Sequence, residues 1–143
     1  MPWGIRTTGL LAAADIERDV VIVACAVSAG IHAALTPEHF SEGAGAGVGF
    51  LAAAVALAGI VVALTRSAGI LALAAASATL TGLIAAYAFA ITTGVPVLHP
   101  EPETVDGLAV ATKAIEALGL VAATHLLLAG RAFAPIQLER NLT

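Results

Sequence analysis

Four long runs of apolar residues, separated by short polar stretches, set the frame of this chain. They fall at about residues 20–36, 48–64, 67–93 and 107–130. Each approaches the roughly 20 apolar residues that a helix needs to cross a hydrocarbon core. The second and third runs contain no charged residue, and the third is long enough to span with tilt. The runs are too long for strands and lack period-two alternation. The pattern predicts an all-α, integral membrane four-helix bundle forming a single domain.

The polar breaks predict where the helices stop. Pro37 follows the first run, and proline disfavours helix at the residue before it, so the first span is expected to end there. Gly43-Ala44-Gly45-Ala46-Gly47 reads as a flexible re-entry into the second span. Ahead of the first run, Trp3, Ile5, Leu10, Leu11 and Ile16 are mixed with Arg6, Asp15, Glu17 and Arg18. That mixture suits a short interfacial helix with Trp3 at headgroup level. A cleaved signal peptide fits less well, because the following apolar run is longer than a signal core.

Composition sharpens this reading. Apolar residues make up 59% of the 143 residues and charged residues 11%. Soluble domains run nearer a quarter charged, so the lipid bilayer is the expected surrounding. The abundance of Ala and Gly suits close helix packing, as at Ala52-xxx-Ala56 on span two, and leaves room for a homo-oligomer or a larger membrane complex. The formal charge is −4 and the six basic residues are scattered, which argues against nucleic acid as a partner. Cys25 is alone, so no disulfide framework exists.

The basic residues also give an orientation. Arg6 and Arg18 precede span one, Arg66 separates spans two and three, and Arg131 and Arg140 follow span four. Loops 37–47 and 94–106 carry neither Lys nor Arg. The positive-inside rule therefore predicts that both termini are cytoplasmic and both acidic loops face outward. A short echo, Leu35-Thr36-Pro37-Glu38 against Leu98-His99-Pro100-Glu101, suits two similarly oriented hairpins.

Candidate chemistry collects at the outward end. Glu38, His39, Glu42, His99, Glu101, Glu103 and Asp106 supply two histidines and five carboxylates without a base. Imidazole and carboxylate together suit a divalent metal ion, so His39, Glu38, Glu42, His99, Glu101 and Asp106 are the candidate ligands. One helical turn after Pro37 would put His39 and Glu42 on one face. The alternative is that these are solvated loop ends of a membrane protein.

Within the spans, Cys25, Ser28, His32 and Thr36 recur at spacings of three or four and form one polar stripe. Lys113 and Glu116 on span four are placed to pair. At 1.5 Å per residue, His32 lies roughly 6 Å below the end of its span, and Lys113 and Glu116 roughly 9 and 14 Å below theirs. These three are expected to form one intramembrane polar cluster, either as a structural pair with a capped histidine or as a proton or cation relay. Ser77, Thr79, Thr81 and Tyr87 on span three could extend it. His125 lies roughly 27 Å down span four, so it cannot share a haem iron with His32, and a bis-histidine haem is not expected. His125 is expected to be interfacial or hydrogen-bonded. Ser28 and Ser41 lack a nucleophile-elbow context, and no nucleophile–base pair suggests an enzyme.

Ser28-Ala29-Gly30-Ile31-His32, Pro37-Glu38-His39-Phe40 and Gly94-Val95-Pro96, with Asp106 and Glu116, resemble small four-span membrane proteins of high-GC Gram-positive (actinobacterial) bacteria. The resemblance covers most of residues 25–120, implies the four-span architecture and carries no activity. It departs after Glu42, where Gly-Ala repeats stand in place of aromatic residues. Two functions remain open. One is binding or transport of a metal cation at the outward His/carboxylate cluster. The other is a non-catalytic accessory or structural subunit of a larger membrane complex.

Overall fold

In the computed structural model, the chain forms four helices: α1 (Gly4–Glu42), α2 (Ala44–Arg66), α3 (Ile70–Thr92) and α4 (Gly107–Arg140). The structure describes the backbone of residues 4–66, 69–95 and 102–140, with side chains between 13 and 130 of these. Windows at Ala13–Glu42, Ala44–Arg66, Ile70–Thr92 and Gly107–Gly130 are each long and apolar enough to cross a membrane. Trp3, the side chains of Arg6, Arg131 and Arg140, and the Leu98–Glu101 half of the echo lie outside the described residues.

α1 packs along α2 and α4, and α3 along α4 and α2, so each helix touches two neighbours. α1 and α3 meet only briefly across the diagonal. One end of the bundle carries the Gly43 junction and the connection from α3 to α4. The other carries Arg66 and Arg18. These are the Gly43 end and the Arg66 end. The core at the Arg66 end is built from the apolar side chains of Val21, Leu57, Ile60, Leu64, Leu73, Ala76, Leu80, Ala122 and Ala123. α1 and α4 approach closely where Gly119 faces Ala24: a Cβ at 119 would stand 2.6 Å from the Ala24 methyl. Small residues bring backbones together in this way, so dispersion acts over more atom pairs.

Three expectations are corrected. α1 does not stop at Pro37 but runs through it to Glu42. Proline there removes one backbone donor, the N–H that would otherwise serve the carbonyl four residues back, yet the turns on either side of it are held by other bonds. Thr36 Oγ1 donates to the His32 carbonyl at 2.7 Å, Ser41 Oγ donates to the Glu38 carbonyl at 2.6 Å, and the Gly43 N–H reaches the His39 carbonyl at 3.1 Å. Second, the Gly-Ala repeat is not a flexible re-entry. Only Gly43 is non-helical, and Gly47 is buried because the Phe40 ring lies where a Cβ at 47 would stand. Third, residues 4–18 are not a separate interfacial helix but the continuous start of α1.

The connection after α3 is more conventional. Gly94 takes the left-handed conformation (φ 67°) just past the helix, where a Cβ would be strained. The chain then folds back, with the Glu103 N–H donating to the Ala90 carbonyl at 3.0 Å. Asp106 starts α4 by accepting the Ala109 N–H on Oδ1 at 2.8 Å, an N-cap that also places negative charge at the positive helix end.

Candidate functional site

The polar stripe of α1 faces inward: Cys25, Ser28, His32 and Thr36 are all buried. Opposite them on α4, Glu116 is 0% exposed. A carboxylate without water must have its oxygens satisfied by neighbours, and two helices supply them. Ser28 on α1 donates to Glu116 Oε1 at 2.6 Å, and Lys113 one turn earlier on α4 donates to Oε2 at 2.7 Å. Charge-assisted bonds of this length are the stronger kind. The Lys113 side chain, 18% exposed, also points its ammonium at the Leu83 carbonyl of α3 (3.4 Å) and lies 5.6 Å from the Tyr87 ring centroid.

His32 extends the network toward the Gly43 end. Its Nδ1 is 2.8 Å from the Ser28 carbonyl and 3.3 Å from Ser28 Oγ. A carbonyl only accepts, so Nδ1 is assigned the proton. The result is a directed chain in which His32 donates to Ser28, Ser28 donates to Glu116, and Lys113 donates to Glu116 from the far side. His32, Lys113 and Glu116 thus do form one cluster, as the sequence led us to expect, and Ser28 is the member that joins them. The extra turn and a half of α1 beyond Pro37 explains the match in level. Counted from Glu42, His32 lies roughly 15 Å down α1, close to the roughly 14 Å of Glu116 down α4.

Above His32, the Phe50 ring of α2 bridges to the end of α1. Phe50 stacks on His39 with centroids 3.7 Å apart and tilts against His32 at 5.2 Å. His39 in turn holds Glu42 through Nδ1···Oε2 at 2.7 Å, the one-turn pairing expected after Pro37. His39, Phe50, His32, Ser28 and Glu116 therefore make a continuous column from the Gly43 end into the bundle. Phe50 carries no polar signal, and its place between two histidines could not be read from the sequence.

The other candidate ligands are not drawn together with His39 and Glu42 as a set. Glu38 is exposed on the last turns of α1, and Asp106 caps α4. His99 and Glu101 lie outside the described residues. Among the described residues, no three His, Cys, Asp or Glu side chains are close enough to hold one metal ion. On α3, the Tyr87 and Ser77 hydroxyls are buried without a hydrogen-bond partner among the described residues, while Thr81 is exposed. His125 is hydrogen-bonded, as expected, and at the opposite end: its Nδ1 is 2.9 Å from Glu17 Oε2, linking α4 to α1 on the Arg66 side.

The chain matches no protein-family model, no curated protein and no solved structure. The functional reading therefore stands on the geometry above.

Proposed function

We propose that this chain is a small multi-pass membrane protein that binds a metal cation at its Gly43 end, on the outward side of a cell membrane. The observation that carries the reading is the Phe50 bridge. It ties the exposed His39–Glu42 pair to the buried His32–Ser28–Glu116 network in one column. An imidazole beside a carboxylate suits a divalent ion, and Glu38, with His99 and Glu101 of the 94–106 loop, could complete the ligand set. Binding is favoured over passage because Val21, Leu57, Leu64 and Ala123, which line the Arg66 half of the core, carry no polar group for the ion. The orientation rests on Arg6, Arg18, Arg66, Arg131 and Arg140, all on the side expected to be cytoplasmic.

Metal analysis of the purified protein beside a His39→Ala/His99→Ala variant tests this proposal. A stoichiometric divalent metal in the parent and none in the variant is expected; no metal in either ends the reading. Reporter fusions that put loop 94–106 in the cytoplasm would overturn the orientation.

The apolar half also favours a second reading, an accessory subunit without chemistry of its own. Mild-detergent purification from native membranes then recovers a fixed partner, and a lone stable species counts against it.

A further inference from the structure

We propose that the Lys113 ammonium occupies a monovalent-cation site, and that an alkali cation exchanges with it on Glu116. The inference goes beyond metal binding at His39. It uses residues of α1, α3 and α4 and stands whether or not the Gly43 end holds a divalent ion.

Two oxygens from two helices approach the ammonium. Glu116 Oε2 is at 2.7 Å and the Leu83 carbonyl at 3.4 Å, and Ser28 Oγ holds the other carboxylate oxygen at 2.6 Å. The Tyr87 ring lies beside the same ammonium, and its hydroxyl is buried with no partner among the described residues. A ring face within about 6 Å adds a further favourable surface for a cation held at this place. Carboxylate and carbonyl oxygens are hard donors, which select alkali or alkaline-earth ions over softer transition metals.

Charge then chooses between those two. Glu116 is the only carboxylate of the network, and the group it now holds carries a single positive charge. A monovalent ion replaces Lys113 with the local charge unchanged. A divalent ion would leave an excess positive charge in a segment apolar enough to cross a membrane, where unpaired charge is expensive.

The displaced lysine has somewhere to go. Every Cα–Cβ bond of α4 leans toward its N-terminus, which is the Gly43 end. Lys113 is already partly exposed, and a long basic side chain readily carries its head to the nearest polar surface. Glu103 and Asp106 are exposed at that end of α4. The exchange therefore moves one ammonium outward along α4 as one alkali cation moves onto Glu116.

Tyr87 is the sole tyrosine and can report the exchange. The full chain with Trp3→Phe, in detergent micelles, is titrated with NaCl, KCl or RbCl against choline chloride at matched ionic strength. A saturable change in Tyr87 emission with at least one alkali salt, absent with choline and lost in Glu116→Gln, is expected. Identical responses to choline and to every alkali salt overturn the proposal, and a response to MgCl2 equal to the best alkali response overturns the monovalent assignment. As a second measurement, Lys113→Met should melt about 5 °C higher in the preferred alkali salt than in choline chloride. That difference should vanish in Lys113→Met/Glu116→Gln. Equal melting of Lys113→Met in all salts counts against the site, and if this variant does not fold the Tyr87 titration decides alone.

Discussion

The two ends of the bundle are held together by different physics. At the Arg66 end the core is Val, Leu, Ile and Ala, with Leu57, Leu64 and Leu80 fully buried. At the Gly43 end the same interior positions carry Ser28, His32, Thr36 and Glu116. For helices apolar enough to lie among lipid tails, moving a side chain from one apolar surrounding to another gains little, and the cohesion of the Arg66 half then rests on close packing. The polar half depends instead on specific partners. Leucines tolerate a small shift of one helix along another, whereas a 2.6 Å bond from Ser28 to Glu116 does not. The apolar half thus supplies cohesion and the polar half fixes the register of α1 against α4.

Substitutions can break this comparison, and they rank by size. The largest effect is expected for Lys113→Met, which leaves a buried carboxylate without its cation and should destabilise by about 4 kcal/mol in choline chloride. Replacing both partners, Lys113→Leu/Glu116→Leu, should recover most of that loss, since no charge is then stranded. Unfolding in detergent micelles measures both, and a double variant worse than the single one would contradict the role given to the polar half. Leu57→Ala comes next, at about 3 kcal/mol, through the cavity left in the apolar half. Should it exceed Lys113→Met, apolar cohesion contributes more to stability than the Lys113–Glu116 pairing does. Gly119→Ala is expected to cost about 2 kcal/mol, because its new methyl meets Ala24. The smallest effect belongs to His125→Ala. Its pair with Glu17 is exposed, with His125 66% accessible, so the change in melting should be near the limit of detection at physiological salt.

The comparison also explains what could be read from the sequence. Four helices long and apolar enough to cross a membrane were legible because such helices need long uninterrupted apolar runs, which the sequence displays directly. His32, Lys113 and Glu116 were legible because ionisable groups in such runs are rare and helix rise sets their level. Ser28 was visible only as part of a stripe; that it donates to Glu116 depends on the rotation of α1 about its axis. The end of α1 was misread at Pro37. The rule for proline is local, and the turn beyond it is secured by Ser41 and the His39–Glu42 pair, which the rule does not weigh. Gly47 looked like flexibility because a glycine's role as a seat for Phe40 is decided by another helix.

Gly43 has a consequence for chain length. α1 ends at Glu42 and α2 begins at Ala44, so one non-helical residue joins two long helices. Adding one residue to a helix turns everything beyond it by about 100°. With no slack to absorb that turn, the direction in which Phe50 points is set by counting residues from His39. A single insertion or deletion in α2 between Ala44 and Phe50 would swing that ring away from both histidines while leaving every polar side chain of α1 untouched.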